Sequence, residues 1–169
     1  MSDAINTLEE FNSAADKDAT KLITHWCAAP LWASHVCNQR PYINLETLIE
    51  STSTFWAQAV ETDRLAAFSA HPVIGDAELL RTKYADQANK EQGQVLSASN
   101  NLLSALAEQN LAYKQRHGFT FIVFATGKSA QQMLELLNRR INNSTEQELK
   151  NASTEQLKIM QLRLNQSFS

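Results

Sequence analysis

The chain has 169 residues, 43% of them hydrophobic and 20% charged, which suits one domain with a sizeable core. A net charge of −3 and a pI near 5.8 exclude a broad phosphate-binding face, which needs clustered positive charge, and so a nucleic-acid partner is not expected. The one adjacent basic pair, Arg139-Arg140, reads as a solvated helix end. No apolar run reaches the roughly 20 residues a bilayer span needs, and Met1 to Glu10 is too polar and acidic for an export signal. Cys27 and Cys37 are therefore expected as reduced thiols in a cytoplasmic protein.

Leu22, Ile23 and Trp26 recur at helical spacing after the acidic stretch Asp16 to Asp18, which suits a helix N-terminus. Pro30 interrupts that pattern. Leu31, Trp32 and Val36 predict a second short helix ending before Arg40-Pro41. Asn44 can cap a third, whose Leu45, Leu48, Ile49, Phe55, Trp56 and Ala59 line one side, and Glu61 to Phe68 predicts a fourth. Beyond His71-Pro72, Ala77 to Lys83 reads as a turn or two of helix, and Asp86 to Leu96 as a polar helix carrying Glu91-Gln92. Ser99 offers a cap for a longer helix with Leu102, Leu103 and Leu106 inside, stopping at Gly118.

Phe119 to Thr126 has strand composition but no second run to pair with. If it is extended and buried, its N–H groups need other partners, which a ligand can supply; the alternative is a buried stretch that runs on into the next helix. Ser129 can cap a helix through Met133, Leu134, Leu137 and Ile141. Ser144 to Gln147 and Ser153 to Gln156 both have capping-box spacing, and Leu157, Met160 and Leu164 share a face of the last helix. The fold class this predicts is all-α: a single domain over residues 1–169, about eight or nine helices, and no significant sheet.

Three side chains stand out for chemistry. His71 is held by Pro72 away from helical geometry, on a rigid break, and an imidazole can hold or give a proton near neutrality. Glu91 is a carboxylate able to orient such an imidazole, and Gln92 beside it offers a donor and an acceptor suited to a urea or imide group. Arg163 borders the apolar face of the last helix and can clamp a carboxylate through two parallel hydrogen bonds. Each also has a plain structural reading, as a turn histidine, a solvated helix face and a surface arginine. A metal site from His35, Cys37, His71 and His117 matches no compact ligand spacing, and neither thiol has the setting of a nucleophile.

Taken together, Arg40-Pro41-Tyr42, His71-Pro72-x-x-Gly75, Glu91-Gln92 twenty positions after His71, Tyr113 followed by Gly118-Phe119-x-Phe121-Ile122, and Lys158-Ile159-x-x-Leu162-Arg163-Leu164 occur in one order. That order resembles the OHCU decarboxylase family, which acts on 2-oxo-4-hydroxy-4-carboxy-5-ureidoimidazoline (OHCU) in the breakdown of urate to allantoin. The resemblance runs roughly from Leu22 to Leu164. It implies an all-α homodimer working on a small ureide without cofactor or metal. It implies catalytic roles for His71, Glu91 and Arg163, and substrate binding by Pro72, Ala88, Gln92 and the backbone at Phe121 and Ile122.

Two departures stand out. Ala88 occupies a place where the family often has serine, which removes a possible substrate hydrogen bond. His117-Gly118-Phe119-Thr120-Phe121 replaces the frequent Phe-Gly-Phe-Pro-Phe. A decarboxylase acting on another ureido acid is thus an alternative, and a helical protein-interaction module, with His71-Pro72 a plain turn, is a second.

Overall fold

The computed structural model describes residues 4–73 and 95–168, with backbone only for 95–99. Among the described residues there are eight helices and no strand: α1 (Leu8–Ser13), α2 (Asp16–Trp26), α3 (Pro30–Asn38), α4 (Leu45–Ala57), α5 (Glu61–Ser69), α6 (Val95–His117), α7 (Ala130–Arg140) and α8 (Thr145–Ser167). The all-α expectation holds. None of these helices is long and apolar enough to cross a membrane. The chain divides into two compact units, Met1–Ala70 with Ser153–Ser169, and His71–Ala152.

In the first unit α3 packs against α2, α4 and α5. Helix α1, which the sequence reading passed over, is started by a capping box in which Thr7 and Glu10 satisfy each other's backbone N–H. It exists to bury Phe11, whose ring meets Trp26 at 5.5 Å and Phe168 at 5.9 Å. Ala19, Ile23 and Trp26 are the buried stripe of α2, four and three residues apart as a helix face requires. Asn44 caps α4 by accepting from the Thr47 N–H at 2.8 Å, as its side chain predicts. The indole N–H groups all find acceptors: Trp26 on Ser167 Oγ, Trp32 on the Thr52 carbonyl, Trp56 on the Ser153 carbonyl.

In the second unit α6 packs on α7. Leu103, Leu106, Ala107, Asn110 and Tyr113 form the buried face of α6. Ser99 lies inside this helix, which has begun by Val95, so the cap expected at Ser99 is not one. The helix ends as expected: Gly118 has φ +81°, the left-handed region open to glycine, and its N–H closes on the Lys114 carbonyl at 2.8 Å.

Ser129 caps α7 through a capping box with Gln132. Ser144 accepts from the Gln147 N–H at 3.1 Å and so starts α8. The second box, Ser153 to Gln156, sits inside α8 instead. The spacing alone cannot stop a helix that already runs through it, and the buried Ser153 Oγ accepts from Arg64.

Candidate active site

His71 follows directly on Ala70, the C-cap of α5. Pro72 denies it helical geometry, so the helix ends there. Helix α3 begins with Pro30 and its N-cap Ala29 has no capping side chain. The missing acceptor comes from α5: Asp63, only 4% exposed, accepts from the Leu31 N–H at 3.0 Å and the Trp32 N–H at 2.8 Å. The pairing satisfies two orphan donors and sets a negative charge against a helix N-terminus. Arg64, the next residue, donates to the Ala59, Trp56 and Ala57 carbonyls and to Ser153 Oγ, with its guanidinium over the Trp56 ring. Helix α5 is thus fixed at its start. His71 is half-buried and Pro72 exposed.

Arg163 is half-buried on α8. One of its guanidinium N–H groups donates to the His25 carbonyl in the last turn of α2, at 3.2 Å. Its remaining donors meet no acceptor among the described residues. A guanidinium carries five N–H donors in a planar fork. One arm is anchored, and the other donors are unengaged among the described residues. Cys27 lies within its electrostatic reach, but burial, helped by the Asp63 charge and opposed by Arg163, pushes the thiol up to about 12. Cys27 and Cys37 are both buried free thiols, and Cys27 is no nucleophile.

The second unit contains a polar cluster that sequence reasoning missed. Glu148 has no exposed surface. Its Oε1 accepts from Tyr113 Oη at 2.6 Å and Arg140 Nε at 2.8 Å. Its Oε2 accepts from Asn143 Nδ2 at 3.0 Å and Asn151 Nδ2 at 2.6 Å. Burial opposes its charge, but the donors Asn143, Tyr113 and Asn151 and the Arg140 charge outweigh burial and hold the carboxyl below the usual range. Burial, the Glu148 hydrogen bond and the Glu148 charge together push the Tyr113 hydroxyl far above its ordinary value, so it remains a donor.

Arg140 carries this cluster to the segment after Gly118. Its side chain is 12% exposed, not the solvated helix end the sequence suggests; Arg139 is the exposed one of the pair. Arg140 Nη1 donates to the Ile122 carbonyl at 2.8 Å, and its guanidinium lies 4.6 Å from the centroid of the Phe121 ring. Phe119, Thr120, Phe121 and Ile122 are all buried without helix or strand. The N–H groups of Thr120, Phe121 and Ile122 have no acceptor among the described residues. The segment is thus buried and non-helical, and these three N–H groups are unengaged among the described residues.

The other residues singled out in the sequence fall as follows. Ala88, Glu91 and Gln92, the helix expected over 77–83 and all but the last two residues of the one expected over 86–96 lie outside the described residues. His71, Phe121 and Ile122 belong to the second unit and Arg163 to the first. Both nitrogens of His117 are engaged, by Thr145 Oγ1 at 3.0 Å and the Ile141 carbonyl at 3.1 Å. No cluster of three His, Cys, Asp or Glu suited to a metal ion occurs among the described residues.

The class of protein comes first: this is an all-helical protein that shares its fold with a solved OHCU decarboxylase. A crystal structure of OHCU decarboxylase in the presence of (S)-allantoin is 29% identical, covers 92% of this chain and 99% of its own, and superposes with a TM-score of 0.70. A crystal structure of (S)-allantoin synthase, 16% identical with a TM-score of 0.68, shares the fold over 96% of this chain and 54% of its own.

The family model for OHCU decarboxylase matches residues 12–165, and the chain belongs to that family. Among curated relatives, the uric acid degradation bifunctional protein TTL of Arabidopsis thaliana is 33% identical over 146 residues, 85% of this chain. That match spans 45% of the plant protein's length. The putative human OHCU decarboxylase is 32% identical over 80% of this chain and 79% of its own. The Xenopus laevis decarboxylase is 25% identical over 97% of this chain and 94% of its own.

Proposed function

We propose that this protein decarboxylates OHCU to (S)-allantoin and CO2 in urate degradation, without cofactor or metal. Membership of the decarboxylase family supports the reaction. The single observation that carries the proposed binding mode is the buried, non-helical backbone at Phe121 and Ile122, whose N–H groups have no acceptor among the described residues. Such donors suit the carbonyl of a flat ureide ring.

The substrate explains why its own atoms suffice. One ring carbon bears the hydroxyl and the carboxylate, and its neighbour is the carbon of a C=N bond. When the bond to CO2 breaks, its electron pair forms a ring C=C bond and the C=N pair moves onto nitrogen, which takes a proton. The hydroxyl then gives up its proton to become a carbonyl, and the neighbouring carbon receives a proton on one face. Catalysis reduces to orientation, charge stabilisation and one-sided proton delivery.

In this reading His71 is the acid/base, acting at the hydroxyl or at the new C–H. Glu91 orients it and raises its basicity. Arg163, whose other guanidinium donors are unengaged among the described residues, anchors the substrate's anionic group. Pro72, Ala88, Gln92 and the backbone of Phe121 and Ile122 hold the ring. The protein is read as a single functional domain, a homodimer, and cytoplasmic. The test is to add it to the products of urate oxidase and hydroxyisourate hydrolase and follow optical activity. Fast appearance of the (S) enantiomer is expected; a racemic product at the spontaneous rate removes the proposal.

A further inference from the structure

We infer that Arg140 is a positioning residue: it holds the chain on both sides of the Phe121–Ile122 peptide, and so sets how well the site holds its ring. The inference rests on the OHCU decarboxylase reading above and adds a residue to it.

Arg140 does three things at once. Nη1 holds the Ile122 carbonyl at 2.8 Å, Nε holds Glu148 Oε1 at 2.8 Å, and the guanidinium plane lies over the Phe121 ring at 4.6 Å. The Ile122 carbonyl belongs to the Ile122–Val123 peptide, so this bond holds the backbone on the far side of Ile122. The ring contact holds Phe121 on the near side, so the Phe121–Ile122 peptide between the two held points, which carries the Ile122 N–H, has little freedom to turn. The clamp is itself held, since Glu148 takes four hydrogen bonds from α6, α7, the turn after it and α8 itself.

Stability alone does not account for the arrangement. A buried arginine–glutamate pair is a weak source of stability compared with apolar packing. Arg140 Nη2 is also buried with no acceptor among the described residues, which costs rather than gains. What the pair does well is fix orientation, and the element it orients has donors to spare.

The experiment is Arg140→Lys. Lysine keeps a charge for Glu148 but lacks the planar fork needed to hold Glu148 Oε1 and the Ile122 carbonyl while lying flat on Phe121. The expected result is a KM for OHCU raised about tenfold with kcat within about threefold, since binding is loosened and the reacting groups are untouched. In parallel, the Phe121 and Ile122 amide resonances should shift on adding (S)-allantoin to wild type, and shift much less in the variant. A purely structural role predicts fewer active molecules, hence lower kcat at unchanged KM; that result, or an unchanged KM and kcat, overturns the inference.

If Arg140→Lys does not fold, Tyr113→Phe removes one donor to Glu148 while keeping the ring packing, and should raise KM about threefold. An unchanged KM there overturns the inference. Wild type that turns over OHCU beside a variant of unaltered KM sinks this inference alone. Wild type with neither turnover nor an amide response to (S)-allantoin sinks the parent reading with it.

Discussion

Glu148→Gln isolates what the buried carboxylate contributes. The substitution keeps the shape but removes the charge, and it turns one oxygen into an NH2 group. Whichever way the amide lies, that NH2 faces donors: Tyr113 and Arg140 on one side, Asn143 and Asn151 on the other. Removing a whole partner from a buried ion pair costs about 3–5 kcal/mol. Retaining one oxygen acceptor moderates this, so a loss of about 2–3 kcal/mol at pH 7 is expected. With an m-value of about 1–3 kcal/mol/M, the urea midpoint followed by circular dichroism should fall by about 1–2 M.

The pH dependence has a definite sign. The folded carboxyl of Glu148 titrates below the usual range, so its stabilising effect is present above the ordinary glutamate value and is lost as pH falls through the folded value. The gap between wild type and Glu148→Gln should therefore narrow on acidification below about 4.3. A midpoint shift worth less than about 1 kcal/mol, or a gap that stays constant into acid, would refute the reasoning.

Other outcomes follow from the same structure. Asp63→Ala removes a charged acceptor from two N–H groups of α3, and should destabilise by about 2–4 kcal/mol in urea titrations, with a loss under about 1 contradicting the cross-helix cap. The Cys27 thiol, pushed up to about 12, should react with a thiol reagent at pH 8 only as fast as the chain unfolds; immediate modification of the native protein would show it accessible. His71→Asn should keep the helical circular dichroism spectrum and lower kcat by about 100-fold or more, and a folded variant with near-normal, stereoselective turnover would take the imidazole out of the mechanism. Arg163→Ala should chiefly raise KM, by about tenfold or more, through loss of a charge-assisted anchor; an unchanged KM would free the arginine from substrate binding.

The elements legible in the sequence were those whose signal is local. The apolar periodicity of α2 and α4, the caps at Asn44, Ser129 and Ser144, and the stop at Gly118 all express interactions within a few residues. What was not legible depends on partners far along the chain. Asp63 looks like any acidic residue in a first helical turn, yet it caps a helix 31 residues earlier. Arg140 looks like a basic residue at a helix end, where solvent is the usual partner, and only the fold brings Glu148 and the Ile122 carbonyl to it.

The second capping-box spacing misled for a related reason. A box starts a helix only where the preceding turn has ended, and at Ser153 it has not. Of the proposed site, His71-Pro72 and the unpaired apolar stretch were readable because proline and strand composition each restrict the backbone directly. The Tyr113–Glu148–Arg140 cluster left one faint trace, a glutamate at an otherwise buried helix position.

The most direct measurement uses OHCU labelled with 13C at the carboxylate, mixed fresh with wild-type protein and with His71→Asn, with label release as CO2 and product chirality read together. The account predicts rapid release by wild type with (S)-allantoin as product, and release by the folded variant near the spontaneous rate. Label leaving no faster with wild type than without protein would contradict it.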